Sequence, residues 1–475
     1  MLGPGVRRMI PITTLTMDEG INSRLLAHLY PGDGLEAAAI LVCTTVPGPR
    51  VRLLARDLIL VPYGECGRRT ESSLTWPGAY IERAIDQAGQ GQLCLMLVHS
   101  HPTGYPSFSA MDDASDCAVM TSIFEAGGDI HGSAVVLPNG TMLARLYNKY
   151  GITVPVDLIS IAGDDLRFWW NDDLKSAVKR PVAFTSAMTA ELSRLTACVI
   201  GVSGTGSIVA EQVCRLGFGR VILIDHDIVE EKNLNRILNM TNLDAQLRLP
   251  KAHAFAARAN QFRNEDFVTG IFENILSRPA VLAASQADVI FSCVDTHRGR
   301  SVADRIASSF LMPLFDVGVA IPTRAAGDRF VIDEVTGRVD YVKPGGATLA
   351  DRGVYTPSTL QAEALAESDP HAHAAQVRAG YIESIPEQAP SVISLNMRAA
   401  SACVLEFIAR AYPFRHEPNK KYARTRFMLA EGLEEHSKEA DFSIGSNQLR
   451  ARGKCEPLLG LPTLAPARQR YEKGL

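Results

Sequence analysis

The chain has 475 residues, a net charge of −4, and 46% hydrophobic against 21% charged residues. That is enough chain for two or three domains of ~150 residues, in a globular rather than a disordered balance. The mild acidity argues against nucleic acid as a partner. No apolar run approaches the ~20 residues of a membrane-spanning helix.

Arg7-Arg8 is not followed by the apolar core of a signal peptide, so a cytoplasmic address is expected. The nine scattered cysteines include no C-x-x-C pair, which predicts reduced thiols, mostly in the core, and no disulfide framework.

Residues 1–150 are expected to form an α+β domain. A helix from Met17 to Leu29 leads into strands at Glu36–Cys43, Arg50–Leu60, Leu93–Val98, Gly132–Leu137 and Met142–Tyr147. Helices are expected over Thr75–Ala88 and after Ser109. Residues 151–180 are expected to be a connector with some helical character.

Residues 181–415 alternate strand and helix in the doubly wound α/β manner. The strands are Ala197–Val202, Arg220–Ile224, Asp288–Cys293 and Leu314–Val317. A hairpin is expected between Phe330–Ile332 and Val339–Tyr341, then helices over Gln361–Glu367 and Val392–Ala411. Residues 416–475 are expected to be an irregular tail.

The first half carries His99-Ser100-His101-Pro102 followed by Ser109-Ala110-Met111-Asp112. Histidines at i and i+2 of a strand face the same way, and Ser109 has the position of a helix cap. Two imidazoles and a carboxylate leave a tetrahedral Zn²⁺ one open position, the arrangement of a hydrolytic site. Asp112, Asp113 and Asp116 are all available as the carboxylate. Over residues 15–150 the joint spacing resembles the JAMM motif of the JAB/MPN metalloproteases, whose spacing selects Asp112. The resemblance implies a general base on an early strand, for which Glu36 is the candidate ahead of Glu65, Glu71 and Glu82. It also implies that Ser109 helps stabilise the oxyanion, and that the substrate is an isopeptide or peptide bond after a ubiquitin-like carboxyl terminus.

The second half carries Gly201-Val202-Ser203-Gly204-Thr205-Gly206 between a strand and a helix. Such a loop lets backbone amides approach a phosphate, and alone it suits NAD as well as ATP. The following strand ends in Asp225-His226-Asp227-Ile228-Val229 and continues to Asn233-Leu234-Asn235-Arg236. With Pro250-Lys251 and Cys293-Val294-Asp295, this resembles the ThiF/MoeB/ubiquitin-activating-enzyme superfamily, which adenylates the carboxyl terminus of a ubiquitin-like protein. The resemblance implies that Asp225, with Asp227 beside it, binds the ribose. It assigns Asn233, Arg236 and Lys251 to the triphosphate and Asp295 to Mg²⁺. Relatives often add an arginine from before the first strand, for which Arg180 is a distant candidate.

Together the two resemblances imply a bifunctional enzyme of a ubiquitin-like modifier pathway, similar to the fused enzymes of bacterial ubiquitin-like conjugation and sulfur-carrier operons. A homodimer, a ubiquitin-like or sulfur-carrier β-grasp partner and a conjugating enzyme are what the families imply. Sulfur-carrier activation in cofactor biosynthesis and a regulatory scaffold with one inactive site are the alternatives. One departure stands out. Where relatives carry Gly-Gly-x-Cys-x-x-Cys, this chain has Gly345-Gly346-Ala347-Thr348-Leu349-Ala350. No structural zinc is therefore expected in this half, and no loop thiol is present to form a thioester. Cys403 and Cys455 are distant thiols, and Thr348, Thr356, Ser358 and Thr359 are the hydroxyls of the region. Direct handover from the adenylate is expected, with Ser358 the first hydroxyl to test.

Overall fold

A computed structural model of the chain describes residues 10–89, 93–174, 181–327, 329–332, 334–379 and 392–466. The amino-terminal half is built on one nine-stranded sheet. Its strands are β1 (Thr13–Asp18), β2 (Ala38–Thr45), β3 (Val51–Leu60), β4 (Leu95–Ser100), β5 (Ile130–Val136), β6 (Met142–Asn148), β7 (Thr153–Pro155), β8 (Leu158–Ala162) and β9 (Leu166–Trp170), in the order β9-β8-β1-β3-β2-β4-β5-β6-β7. Three helices accompany it: α1 (Glu19–Leu29), α2 (Ala79–Ala88) and α3 (Ala110–Ala126). Period-2 alternation in β4 sends Met96 and Val98 into the core with α1, and Leu95 and Leu97 into the core with α2 and α3. His99 shares the parity of Leu95 and Leu97, so it emerges on the α2/α3 face.

The carboxy-terminal half is a second sheet of eight strands. They are β10 (Thr196–Ile200), β11 (Arg220–Ile224), β12 (Val268–Ile271), β13 (Val289–Ser292), β14 (Leu314–Ala320), β15 (Thr336–Val342), β16 (Arg424–Met428) and β17 (Leu433–Ser437), in the order β12-β11-β10-β13-β14-β15-β16-β17. The first five are parallel and the last three are added antiparallel. Parallel strands buried on both faces explain the unbroken apolar runs Ala197–Ile200 and Val221–Ile224. The helices used below are α4 (Gly204–Leu216), α5 (Lys251–Arg263), α6 (His297–Ser309), α7 (Pro357–Ser368) and α8 (Ile393–Ala411). Strand order reverses between β10 and β13, which opens a crevice at their carboxyl ends.

Four segments differ from expectation. Residues 13–18 are strand β1, because all six are buried between β3 and β8, and the helix begins only at Glu19 behind the Asp18 cap. The expected connector contains β7, β8 and β9. Leu158, Ala162, Leu166 and Trp170 pack into the core of the second sheet, so this edge of the first domain is completed by the second. The expected hairpin does not form. Val339 and Tyr341 are buried in the α8-side core by pairing of β15 with β14, whereas Arg329–Ile332 pairs with Thr323–Ala326 in a separate ribbon with Ile332 exposed. Within the expected tail, Arg424–Met428 and Leu433–Ser437 extend the main sheet, and Ala451, Leu458, Leu459 and Leu464 join the core on its other face.

The two halves share buried surface. Val46 and Leu54 of the first domain enter the same core as those carboxy-terminal residues. Arg50 pairs with Asp288 at 2.9 Å, both nearly buried, and also donates to the Pro11 and Gln286 carbonyls. Arg450 pairs with Asp18 at 2.7 Å, and Lys343 bridges Glu19 and Asp164 at 3.1 and 2.8 Å. A seam of shared cores and part-buried ion pairs couples the domains mechanically.

Candidate functional sites

In the first domain α3 starts where β4 ends. Ser109 caps the helix, accepting from the Asp112 amide, while the Asp112 carboxylate accepts from the Ser109 amide at 2.6 Å. This capping box points Asp112 back at the end of β4. His99 Nε2 lies 3.1 Å from Asp112 Oδ1 and 3.1 Å from His101 Nε2, and His101 Nε2 lies 3.5 Å from Asp112 Oδ2. Three ligands set 2.0–2.1 Å from a tetrahedral zinc stand about 3.3 Å apart, so the spacing fits that ion. The other ring nitrogen of His101 faces the Tyr105 carbonyl at 2.9 Å. A proton on that nitrogen leaves Nε2 with a free lone pair, as a ligand requires.

The rival carboxylates are engaged elsewhere. Asp113 pairs with Arg145, and Asp116 is held by Arg145 at 2.6 Å and the Tyr147 hydroxyl at 2.8 Å. Arg145 also lies 3.8 Å over the Phe108 ring, bracing the loop that leads to Ser109.

Ala38 pairs with His99, so Glu36 falls opposite His101 on the same sheet face. Strand β2 begins only at Ala38. Glu36 is instead held through its backbone, its amide donating to Thr70 and its carbonyl accepting from Arg69, each at 2.8 Å. The residue is 7% exposed, and burial raises its carboxyl pKa against the partial offset of His99 and His101. Burial opposes charge on Asp112 too, but its bonds to His101 and His99 hold that carboxyl well below the usual range. Glu36, His99, His101, Ser109 and Asp112 line one cleft of about 590 Å³, with Trp76, Tyr105 and Met111 on its walls. Those three apolar side chains had no signal in the sequence, because each comes from a different loop or helix.

In the second domain the glycine loop joins β10 to α4. Gly201 has φ +87°, and a Cβ there would meet the Cys293 carbonyl at 2.9 Å; a Cβ on Gly206 would sit 1.8 Å from the Gly201 carbonyl. Only glycine allows this turn, and it brings the loop against residues 293–294, just before Asp295. Asp225 at the end of β11 accepts from the Val202 amide at 2.6 Å and the Asp227 amide at 2.8 Å, and burial raises its pKa. Lys251 Nζ, at the buried start of α5, lies 2.8 Å from Asp227. Burial penalises the Asp227 carboxylate, yet Lys251 brings its pKa below the ordinary value.

Asn233 is buried and accepts from the Glu230 amide, and its own carbonyl accepts from the Arg236 amide. It therefore shapes the turn that carries Arg236. The Arg236 side chain lies over Gly204 at the start of α4, beside the buried Asn396 of α8, which sequence inspection missed. Asp295 is exposed beyond β13 at the switch point. Glu363 of α7 accepts from the His297 and Arg298 amides, so α7 covers the start of α6. Thr356 and Thr359 cap α7 reciprocally and Thr348 bonds Asp351; Ser358 contacts Thr356 at 2.7 Å, with no basic group bonded to it among the described residues. Cys403 is buried and Cys455 half-buried. Arg180 lies outside the described residues.

The model of the ThiF family matches residues 178–438. The chain belongs to the ThiF family. Residues 18–150 match the model for prokaryotic homologs of the JAB domain, so this ThiF-family chain joins a JAB-type domain to an adenylating-type fold. Among its relatives, the protein named ubiquitin-like modifier-activating enzyme 5 of Drosophila pseudoobscura pseudoobscura is 30% identical over 163 residues, 32% of this chain and 37% of that protein. The protein of the same name in Caenorhabditis elegans is 27% identical over 158 residues, 32% of this chain and 35% of that one. The chain thus spans little more than a third of the length of these relatives. A crystal structure of E. coli MccB with ATP has a TM-score of 0.41 at 15% identity, covering 55% of this chain and 68% of that one. Among the described residues no helix is long and apolar enough to cross a membrane.

Proposed function

We propose that the chain is a bifunctional enzyme of a ubiquitin-like modifier pathway. One site adenylates the carboxyl terminus of a ubiquitin-like or sulfur-carrier β-grasp protein. The other cleaves a peptide or isopeptide bond after such a terminus. The observation that carries this reading is the convergence of His99, His101 and Asp112 beside buried Glu36 in a chain whose other half is of the ThiF family.

In the cleavage site His99, His101 and Asp112 would hold zinc, which supplies Lewis acidity to the water and to the scissile carbonyl. Glu36 takes the proton of the attacking water and returns it to the leaving amine; its raised pKa suits that exchange. The Ser109 oxygen accepts from the Asp112 amide, which leaves its own hydrogen free to donate to the developing oxyanion.

In the adenylation site Asp225 binds the ribose of ATP with Asp227 beside it, and Gly201, Gly204 and Gly206 let the loop backbone at the start of α4 come close to the phosphates. Asn233, Arg236 and Lys251 orient the triphosphate, while the modifier carboxylate attacks the α-phosphorus and pyrophosphate leaves. Asp295 would hold Mg²⁺, a hard ion that offsets phosphate charge. With no thiol in the 345–353 loop, the acyl group passes directly from the adenylate to its acceptor, and Ser358 is the first hydroxyl to test. The deciding experiment mixes the full chain, ATP-Mg²⁺ and β-grasp proteins with diglycine tails, free or fused to a carboxy-terminal extension. Intact-mass spectrometry then detects an adenylate or a trimmed tail. Neither product with any such protein would overturn the reading.

A further inference from the structure

A second polar cavity opens at the β14–β16 end of the main sheet. It measures about 370 Å³ and is lined by Arg300, Arg338, Arg352, Arg424 and Arg426. Beneath them Asp316 and Asp340 are fully buried. Arg338 lies 2.8 Å from Asp316 and also bonds Asp340, Arg424 lies 2.8 Å from Asp340, and Arg352 reaches Asp340 at 3.3 Å and Glu439 at 2.8 Å. Among the described residues five guanidiniums therefore meet three carboxylates.

The surplus is concentrated at the mouth. Arg338 and Arg426 are directly opposed in the β15–β16 register, a like-charge pair that costs stability. Arg426 and Glu435, the acid opposite it on β17, are both exposed, with no ion pair between them among the described residues. Arg300 Nε is buried with no hydrogen-bond partner among the described residues, 3.6 Å from Asp316. Gly318 keeps room for this cluster, since a Cβ there would lie 3.0 Å from Arg338 and 3.6 Å from Arg300. A buried guanidinium nitrogen without a hydrogen-bond partner, with an exposed arginine at the cavity mouth, makes a receptor for a planar anion.

The cavity adjoins the adenylation site. Arg300 Nη1 lies 3.4 Å from the Asp295 carbonyl, so one side chain spans from the Asp295 backbone to the cavity. An extended chain advances ~3.3 Å per residue. A protein tail that ends at Asp295 therefore brings a residue only a few places upstream to these arginines. We propose that the pocket binds a carboxylate side chain near the carboxyl terminus of the protein being activated, and so selects acidic-tailed partners. This rests on the adenylation reading above.

The test uses the full chain and fluorescein-labelled octapeptides ending in Gly-Gly, with a single Glu at the third to sixth position from the end, or Gln there instead. At one position the Glu peptide binds about tenfold or more tightly than its Gln partner, as a charge-assisted bidentate contact gives. Arg426→Gln and Arg300→Gln each shrink that preference to about threefold or less and leave the Gln affinity unchanged. Equal binding at all positions, or a preference untouched by both substitutions, overturns the proposal. ATP–pyrophosphate exchange separates the two readings. No exchange with any diglycine-tailed β-grasp protein defeats adenylation itself, whereas exchange indifferent to an acidic tail residue defeats only the pocket's role.

Discussion

Replacing Glu36 by Gln separates the proposed base from the proposed metal ligands. The amide matches the carboxylate in shape, and the backbone bonds to Thr70 and Arg69 that hold residue 36 do not involve its side chain. What is lost is the proton acceptor, a contribution of about 10²–10⁴ in rate, or roughly 3–5 kcal/mol of transition-state stabilisation. Stability should move the other way. Burial raises the Glu36 pKa in the folded chain, so the folded state keeps a proton that the unfolded state has released. Stability therefore falls as pH rises from the unfolded pKa to the folded one, and the cost persists above it. Gln removes that cost, so in the metal-free protein Glu36→Gln should melt no lower than the parent at pH 7. The assay is cleavage of a modifier–peptide fusion, with zinc stoichiometry by atomic emission on the same samples and melting by calorimetry after the zinc has been removed by chelation. One zinc per chain, activity down at least a hundredfold and an undiminished Tm are the expected triad. Zinc loss equal to that of His101→Ala, or activity above a tenth of the parent, would refute the role given to Glu36. Full cleavage after chelation would refute the metal site itself.

Other outcomes test the rest of the assignment. Arg236→Ala or Asp295→Ala should each abolish ATP–pyrophosphate exchange and leave zinc content and cleavage intact, since distant sites act additively. Arg50→Ala strands Asp288 in the domain seam and should cost about 3–5 kcal/mol. For a chain of this size that lowers a single calorimetric transition by roughly 3–5 °C; two separately melting domains would contradict the shared cores. Buried Asp304, bonded by the Tyr355 hydroxyl at 2.7 Å, has its pKa pushed from an ordinary 3.8 to about 6 by burial. Its folded form holds the proton longer, so stability should fall by about 3 kcal/mol as pH rises from ~4 to ~6. Urea titrations of Asp304→Asn should lack that fall.

Sequence alone determined the features that local geometry encodes. A strand presents His99 and His101 on one face whatever surrounds it, and Ser109 with Asp112 is a capping pattern. The Gly201–Gly206 turn demands glycine because any Cβ collides with backbone. Apolar runs announced the parallel strands because such strands are buried on both faces. Tertiary structure decided what depends on which surfaces meet. Arg145 from β6 took Asp113 and Asp116 and left Asp112 facing the histidines. Residues 158–170 had no clean period because their edge of the sheet is buried by a different domain. Strand β15 left the apparent hairpin because Val339 and Tyr341 gain more by burial against α8 than by pairing with the exposed ribbon. The arginine cavity draws residues from α6, β15, β16 and the loop at 352, more than a hundred positions apart. No window of sequence contains it, because charge is concentrated there by strand register rather than by spacing along the chain.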